Sequence, residues 1–445
     1  MLSRVAIVIV TGTERKVCKE LLSYTLKNRK RSDSSNDVQK GAGVKKRFYI
    51  GLLLVLGISC LLSGCGRYSG EQTKVNSHSE EVQKSRTEEE TITEEENEKG
   101  NKDENTVRIT PTSEITELEA GLSTVRYEGD YGFDTFLEQG GAGSDTDVAA
   151  YITSLLAQEI YMEGAPFGCS TLSVKNRGGE YLFGRNFDWN ACRGLIVSAR
   201  PENGYASVST VNMDFIRAGG LDLSELPDQM QAVVSLYAPL DGMNEKGLAV
   251  SVNMIQDSAS IDQDTEKPDL TTTTAIRLLL DKAANVEEAL ELLRQYDFHS
   301  SMGMMVHLAL ADADGRSVAV EYVDHEMIVT KTPVVTNFYL ASGEKQGIGT
   351  AQSHTRYEIL TQTLEEHREM TEVEVRNVLD SVSKDNFGEF ERIPQGGMRS
   401  RGSSETDSEC PLETTEWSIV MNQETKELIY YHRENYKTAY VISVE

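Results

Sequence analysis

The segment from Gly168 to Trp189, GCSTLSVKNRGGEYLFGRNFDW, is the part of this sequence that most restricts the fold. Residues 170–174 mix small polar with apolar side chains, as a strand does, and residues 180–187 have the aromatic content of a second strand. Between them, residues 175–179 are rich in Asn and Gly, which favour turns. The segment therefore predicts a hairpin, with a cysteine at the start of its first strand.

That cysteine, Cys169, is a candidate nucleophile. A thiol attacks carbonyl groups only as the thiolate, and a nearby base or positive charge lowers its pKa. The return strand carries Arg185 and Asp188, which supply such groups. Taken alone, a cysteine in a strand is more often a small buried apolar residue. The charged neighbours favour the catalytic interpretation.

The pattern Cys-Ser-Thr, followed on the next strand by Gly-Arg-Asn-Phe-Asp, resembles the start of mature enzymes of the choloylglycine hydrolase and penicillin V acylase family. These are cysteine N-terminal-nucleophile amidases, which hydrolyse linear amide C–N bonds. The resemblance implies cleavage between Gly168 and Cys169. The α-amino group of Cys169, with an ordinary pKa of about 7.7 to 8.0, would then be the general base.

Four further segments follow in the family's order. DGMNEKGLAV at 241–250 resembles its Asn-Glu-x-Gly-Leu segment, and Asn253 then stands where a backbone amide helps to form the oxyanion hole. The spacing is one residue short, so Met254 is the alternative. VVTN, ending at Asn337, resembles the strand whose asparagine side chain is the other oxyanion donor.

SHTRYEIL at 353–360 resembles the family's Ser-x-Arg segment, which gives Arg356 a place near the nucleophile, and EWSIVMNQETKELIYYHREN resembles its closing hairpin. Each of these residues has an ordinary structural alternative, such as a surface ion pair or a turn residue. Together they favour the family, because five of them occur in the family's order: Cys169, Arg185, Asp188, Asn337 and Arg356.

The resemblance also implies an α+β fold, the four-layer αββα sandwich of N-terminal-nucleophile hydrolases, for a catalytic domain at 169–445. The pattern of the residues agrees, because strand runs alternate with helix pairs. The predicted strands are Met304–Leu310, Val318–Tyr322 and Met327–Thr336, with a hairpin turn at Asp312–Gly315, and the predicted helices are Thr274–Leu280 after a cap at 271–273, Val286–Tyr296, Thr355–Leu364 and Thr371–Val382.

Upstream, residues 44–64 resemble a bacterial lipoprotein signal peptide. A Lys-Lys-Arg start and an apolar run precede Leu-Ser-Gly-Cys, which would place the lipid on Cys65. A transmembrane anchor is the alternative, although the run is short for a span of about 20 residues. Residues 1–43 are expected to be a misassigned start, with a long cytoplasmic extension as the alternative.

After the lipid site, residues 65–126 are acidic and are predicted to be a disordered tether. Residues 127–168 form a pro-segment with a predicted amphipathic helix over 145–161. Its apolar side would carry Val148, Ile152, Leu155, Leu156 and Ile160. After cleavage this segment could leave, releasing the enzyme, or stay docked and hold it at the membrane.

The composition argues against some partners and cofactors. A formal charge of −27 argues against nucleic acid and against direct binding to anionic lipid. The seven histidines show no metal-ligand spacing, so no cofactor and no metal is implied. Cys192 and Cys410 could pair in an oxidising exterior. The family's tetramer insertion, between the positions of Asn337 and Arg356, is missing, so the oligomeric state stays open.

The sequence therefore predicts an extracytoplasmic, lipid-anchored enzyme that hydrolyses a small N-acyl amide. Bile salts, penicillin V, N-acyl homoserine lactones and N-acyl amino acids are the candidate substrates, because pocket loops such as 189–221 set specificity. Acyl transfer to an amine would use the same residues. The rival from another class is a non-catalytic surface lipoprotein that binds peptides or wall fragments.

Overall fold

The computed structural model describes residues 105–156, 160–162, 168–218, 223–386 and 414–445, all within one unit of the chain, 92–445. For residues 160–162 and 217–218 only the backbone is described. The predictions for the extension 1–43, the signal peptide, Cys65, the tether up to residue 104 and Cys410 lie outside these residues.

Two large sheets form the centre of the described part. The seven-stranded sheet has the order β1 (Asn105–Ile109), β20 (Thr438–Ser443), β19 (Glu427–His432), β18 (Thr414–Asn422), β6 (Tyr181–Trp189), β5 (Gly168–Lys175) and β17 (Val334–Val335). The nine-stranded sheet has the order β16 (Glu326–Lys331), β15 (Ser317–Val323), β14 (Val306–Ala311), β11 (Ala249–Met254), β10 (Asp241–Asn244), β8 (Ser207–Asn212), β7 (Gly194–Pro201), β3 (Leu122–Gly129) and β2 (Thr116–Glu119). Two small sheets pair β12 (Asp269–Thr271) with β13 (Asp297–His299), and β4 (Ile160–Met162) with β9 (Ile216–Ala218).

Helices cover the outer face of each large sheet. The helices are α1 (Phe133–Glu138), α2 (Asp145–Leu156), α3 (Asp228–Leu236), α4 (Thr272–Lys282), α5 (Val286–Leu293), α6 (Ala351–Glu366) and α7 (Glu372–Ser381). The α3 and α4 helices contact the nine-stranded sheet, whereas α6 and α7 contact the seven-stranded sheet. The two sheets face each other where β5 contacts β11. This is the αββα sandwich that the sequence predicts.

Two apolar cores hold these layers together. The larger core lies between the sheets and extends under α3 and α4, and it contains Cys169, Phe187 and Trp417. The smaller core lies between the seven-stranded sheet and the α6–α7 pair, with Leu172, Leu360 and Leu379 among its members. Because both faces of β5 and β6 are covered, nearly every residue of the two strands is buried, and this includes polar ones such as Ser170, Arg185 and Asp188.

The predicted hairpins are confirmed. The β5 and β6 strands pair in antiparallel fashion from Gly168 opposite Asp188 to Lys175 opposite Tyr181. The closing hairpin pairs β18 with β19. The turn between β14 and β15 uses Gly315 at φ +81°, a left-handed conformation that glycine adopts without a Cβ penalty.

The four helices predicted within 169–445 are confirmed, with shifted ends. The α4 helix begins after the N-cap Thr271, which makes a capping box with Thr274, and Thr371 caps α7 with Glu374 in the same way. Side chains at these caps satisfy backbone N–H groups that would otherwise lack partners. The α5 helix ends at Leu293, earlier than predicted.

Two element predictions are wrong. The run Met327–Thr336 is not one strand, because β16 ends at Lys331 and β17 begins at Val334 in the other sheet. Pro333 stands between them and has no N–H for a sheet hydrogen bond. The helix predicted over 145–161 ends at Leu156 in the described residues, and Ile160–Met162 is a strand that pairs with β9. Val148 and Ile152 are buried as predicted, but Leu155 is exposed.

The boundary of the tether is also wrong. Residues 105–126, assigned to a disordered tether of 65–126, contain β-strands of both large sheets. The β1 strand pairs with β20, and β3 pairs with β7. Leu122 and Val125 on β3 are fully buried. The folded part therefore begins well before residue 127, because these few apolar residues complete sheet edges that would otherwise be open.

None of the helices in the described ranges is long and apolar enough to cross a membrane.

Candidate active site

Cys169 lies at the start of β5, in the gap between the two large sheets. Its side chain is fully buried, and the thiol donates a hydrogen bond to the Val252 carbonyl of β11, 3.5 Å away. Its backbone N–H donates to Asn337 Oδ1 at 2.9 Å. The residue before it, Gly168, lines a cleft. The peptide bond that is predicted to be cut therefore joins a cleft residue to the buried nucleophile.

The charge of the surroundings acts on the thiol in both directions. Burial raises the pKa of the Cys169 thiol, because a thiolate is poorly solvated in an apolar core. The positive charges of Arg185 and Arg356 lower that pKa, whereas Asp188 raises it. Burial is the largest of these effects, so the pKa stays above its ordinary value.

Arg356 connects the predicted site residues. It projects from the second turn of α6, a helix capped by the Thr350 side chain, and it is 5 % exposed. Its Nη1 donates to Asp188 Oδ2 at 2.8 Å, to Ser170 Oγ at 2.9 Å and to the Cys169 carbonyl at 3.2 Å. Its Nη2 donates to Asn337 Oδ1 at 2.7 Å. A guanidinium suits this position because its donors form a rigid, planar fork.

Asp188 stands directly opposite Gly168 in the β5–β6 pairing. One carboxylate oxygen accepts from Arg356, and the other accepts from the Thr415 hydroxyl at 2.8 Å. A Cβ at position 168 would lie 3.1 Å from Asp188 Oδ2. The carboxylate therefore borders the peptide bond whose cleavage the sequence predicts.

Arg185 is fully buried on the neighbouring strand. Its Nε donates to Asp241 Oδ2 at 3.1 Å, and Trp417 Nε1 donates to the same oxygen at 2.9 Å. The Arg185 Nη1 donates to the Asn186 carbonyl, while the buried Nη2 has no hydrogen-bond partner. The guanidinium also lies 5.4 Å from the Phe187 ring centre. Asp241 thus holds the guanidinium in place beside the thiol, whose pKa it lowers.

Asn337 follows β17 and joins the two sheets. Its Oδ1 accepts the two hydrogen bonds from Cys169 and Arg356, and its Nδ2 donates to the Met254 carbonyl at 2.7 Å. Its backbone N–H donates to the Ser353 hydroxyl. With three partners of fixed polarity, the orientation of the amide is determined by its hydrogen bonds.

Asn253 lies on β11, one residue after Val252, whose carbonyl accepts from the thiol. Its side-chain Nδ2 donates to the Val335 carbonyl at 3.2 Å, and its Oδ1 accepts from Ser251. The side chain thus ties the nine-stranded sheet to β17. The predicted oxyanion role belongs to a backbone amide here or at Met254, and it stays a prediction.

A cleft opens beside these groups. Its empty volume is about 480 Å³, part of it open to solvent. The lining residues are mostly polar: Gly168, Asp188, Trp189, Asn190, Gln256, Asn337, Thr350, Gln352, Arg356 and Lys384. Four of the predicted site positions, counting Gly168, therefore face one cavity.

The described residues give little support for a catalytic histidine or for a metal site. In the described residues the Cys169 N–H bonds to Asn337 and its thiol to the Val252 carbonyl, and no histidine is among the groups that shift the pKa of the thiol. His354 stacks on Phe338 with ring centres 4.0 Å apart and bonds to the Gly347 carbonyl. Across the described ranges no group of three or more His, Cys, Asp or Glu side chains could hold a metal ion.

Several residues of the site were missed by the sequence analysis. Asp241, Ser353, Thr415 and Trp417 hold the arginines, Asp188 and Asn337 in place. Each lies inside or next to a segment that carries the family resemblance, and this position was the signal from which the sequence could have indicated them. What the sequence could not give is the pairing, because Asp241 and Trp417 are 176 residues apart.

Two packed sheets covered by helices, with a cysteine at the head of an inner strand, form the αββα arrangement that the sequence predicts. The model of the family "Linear amide C-N hydrolases, choloylglycine hydrolase family" matches residues 169–338. Over these residues the chain is similar to that family, which agrees with the resemblance seen in the sequence. The match begins at Cys169 and ends just after Asn337.

The curated relative covers less of the chain than the family match does, whereas the solved structures cover more of it. A penicillin V acylase from Pectobacterium atrosepticum is 31% identical over 99 residues, which are 20% of this chain and 26% of that protein. The chain thus spans about a quarter of the length of this curated relative. Among solved structures, a mutant conjugated bile acid hydrolase from Clostridium perfringens has a TM-score of 0.42 at 18% identity and covers 60% of this chain and 90% of its own. A penicillin V acylase from Agrobacterium tumefaciens has a TM-score of 0.39 at 20% identity, with 59% and 83% covered.

Proposed function

We propose that this protein is a cysteine amidase that hydrolyses the linear C–N bond of a small N-acyl amide, after cleavage of its own chain before Cys169. The observation that carries the proposal is the single hydrogen-bonded cluster of Cys169, Asp188, Asn337 and Arg356, of which the first three lie within the family match. Such a cluster supplies a nucleophile, an acid–base group and donors for a developing oxyanion.

Self-cleavage is the first amide reaction of the site. The Cys169 thiolate attacks the Gly168 carbonyl carbon, and the C–N bond between the two residues breaks. The nitrogen takes up a proton and becomes the α-amine of Cys169, while the Gly168 acyl group remains on sulfur as a thioester. Water then hydrolyses the thioester, which releases a carboxylate at Gly168 and restores the thiol. The buried Asp188 carboxylate beside Gly168 supports this place for the reaction.

The new amine is the general base for the external substrate. It accepts the thiol proton, the thiolate attacks the acyl carbonyl, and the ammonium returns the proton to the leaving amine. Water then releases the acid from the acyl-enzyme. Asp188 orients the ammonium, since its carboxylate lies opposite residue 168 and is itself fixed by Arg356 and Thr415.

The oxyanion is stabilised by Asn337 and by a backbone amide at Asn253 or Met254. An amide nitrogen has two hydrogens. In the uncut chain one hydrogen of Asn337 Nδ2 serves the Met254 carbonyl, and the proposed contact to the oxyanion uses the other. Fixed donors of this kind stabilise a transition state by about 2.7 to 4 kcal/mol each.

The polar cleft favours a substrate whose leaving group is polar, since Gln256, Gln352 and Lys384 line it near Gly168. Conjugated bile salts, penicillin V, N-acyl homoserine lactones and N-acyl amino acids all fit that description. The chain acts at the outer face of a bacterial membrane, held by lipid on Cys65, a proposal that rests on the signal-like sequence of residues 44–64.

A substrate panel tests the activity. The chain from Gly66 onward, which keeps the whole unit 92–445, is incubated with one member of each substrate class, and the released amine is measured. We expect hydrolysis of at least one class by the wild type and none by Cys169→Ala. Added hydroxylamine as a competing nucleophile separates acyl transfer from hydrolysis. A cleaved protein that is inert to every class contradicts the proposed substrates, and an uncut, inert protein favours the binding-protein alternative.

A further inference from the structure

The segment before the cut site is built into the fold. Its β1 strand extends the seven-stranded sheet by pairing with β20, and its β2–β3 hairpin extends the nine-stranded sheet by pairing with β7. The β3–β7 pairing runs in parallel over eight positions, from Leu122 opposite Gly194 to Gly129 opposite Pro201. One segment thus closes an edge of each large sheet.

The contact between this N-terminal segment and the rest of the fold is apolar at its centre. Leu122 and Val125 of β3 are fully buried in the larger core. Phe133 and Phe136 of α1 pack edge-to-face on Tyr237, the residue that follows α3, with ring centres 5.7 Å apart in each case. Each fully buried aliphatic or aromatic side chain contributes about 1.5–3 kcal/mol to such a contact.

Buried polar groups fix the position of this N-terminal segment on the rest of the fold. The Tyr237 hydroxyl donates to the Tyr131 carbonyl at 3.0 Å, and the Tyr131 hydroxyl donates to the buried Asp281 carboxylate of α4. Further along, the Met302 N–H donates to Asp145 at 2.6 Å. Residue 141 must be glycine, since a Cβ there would meet the Asp269 carbonyl at 1.9 Å.

We infer that the segment 105–168 stays bound after the cut before Cys169, so that the active protein consists of two chains held by the β1–β20 and β3–β7 pairings. This inference rests on the proposed cleavage. Losing the segment would expose two sheet edges together with the apolar side chains under β3, which is costly and promotes aggregation. The cut therefore frees the amine of Cys169 without freeing the enzyme.

The sequence leaves open whether the pro-segment leaves or stays docked after cleavage, and this inference selects docking. With lipid on Cys65 of the N-terminal piece, the catalytic piece 169–445 stays at the membrane through non-covalent contacts alone. The N-terminal piece is then a structural subunit and not a discarded propeptide.

The test uses a cut that does not depend on self-cleavage. A recognition sequence for a site-specific protease is inserted between Glu163 and Gly164 in a Cys169→Ala chain that begins at Gly66, and the cut protein is run on size exclusion with and without denaturant. We expect one peak with both pieces in equal amounts under native conditions, and two peaks in denaturant. Separation of the pieces under native conditions overturns the inference.

Variants in β3 locate the contact. Val125→Asp places a charge in the buried face, so we expect its pieces to separate after the cut, whereas Glu128→Gln on the exposed face of the same strand leaves them together. If Val125→Asp does not fold before the cut, the size-exclusion result for the Cys169→Ala chain without this substitution tests the inference. Whether the proposed self-cleavage occurs is tested separately, by measuring the mass of the wild-type chain in denaturant.

Discussion

The backbone N–H of Cys169 donates a 2.9 Å hydrogen bond to the side-chain oxygen of Asn337, which reaches it from 168 residues further along the chain. The same oxygen accepts from Arg356. The nitrogen that would become the catalytic amine in the proposed mechanism is thus held by a polar partner in the uncut chain. The proposed cleavage would change its chemistry while Asn337 keeps its position defined.

Replacing Asn337 should lower turnover far more than it lowers substrate binding. Asn337→Ala removes the proposed oxyanion donor, and we expect kcat to fall by about 10²- to 10³-fold with little change in KM. The measurement is steady-state hydrolysis by protein that has already been cleaved. Asn253→Ala is the control, because the role proposed at that position belongs to the backbone, and its kcat should change much less. Equal losses in the two variants would contradict the assignment.

Arg185 should control the pH at which the thiol reacts. Its charge lowers the pKa of the Cys169 thiol, which burial raises. Without that charge the pKa rises further and the thiolate appears only at higher pH. The midpoint of the self-cleavage rate against pH should therefore move upward in Arg185→Gln and less in Arg185→Lys, which keeps the charge. A downward shift, or the same shift in both variants, would show that Arg185 acts in another way.

Arg356 should matter for stability as well as for chemistry. Arg356→Met leaves Asp188 as a buried carboxylate without its positive partner, and the free energy of unfolding should fall by about 3–5 kcal/mol. Arg177→Met is the matched control, because its ion pair with Glu374 is largely exposed and contributes about 0–1 kcal/mol. Urea unfolding in the Cys169→Ala background gives both values. Similar losses in the two variants would mean that the buried cluster is not structural.

The local part of this site could be predicted from the sequence and the long-range part could not. The strand–turn–strand unit at 168–189 is set by local turn and strand preferences, so the positions of Cys169 and Asp188 on it followed directly. The Arg185–Asp241–Trp417 contact joins three segments, and no local pattern encodes such a pairing. The strands at 105–126 were missed for a related reason: their few apolar residues have meaning only at the edge of an existing sheet.

Position 168 should tolerate little besides glycine. A Cβ there would lie 3.1 Å from Asp188 Oδ2 and 3.2 Å from its Cβ, closer than ordinary contacts. We expect Gly168→Ala to slow self-cleavage by about tenfold, because strain of about 1.4 kcal/mol displaces the scissile carbonyl. Gly143→Ala, whose Cβ would meet His299 at 3.5 Å, serves as the control. Unchanged cleavage of Gly168→Ala, followed as the appearance of the smaller chain on a denaturing gel, would argue against this geometry.

His432 should make folding sensitive to acid. Burial and the neighbouring Arg433 lower the pKa of His432 below its ordinary value of 6.5, so the folded protein keeps the ring neutral. As the pH falls below about 6.5, the unfolded chain takes up a proton that the folded chain refuses, and stability declines until the folded pKa is passed. His432→Gln should reduce the loss of stability between pH 7.5 and pH 5, whereas His367→Gln at an exposed site should not. Thermal unfolding at the two pH values measures the difference.

The most direct test of the account is the intact mass and N-terminal sequence of purified protein expressed from Gly66 onward, with the wild type beside Cys169→Ala. The account predicts that the wild type contains a chain that begins at Cys169 and that the variant remains in one piece. A wild-type chain that hydrolyses amides while the bond between Gly168 and Cys169 is intact would contradict it.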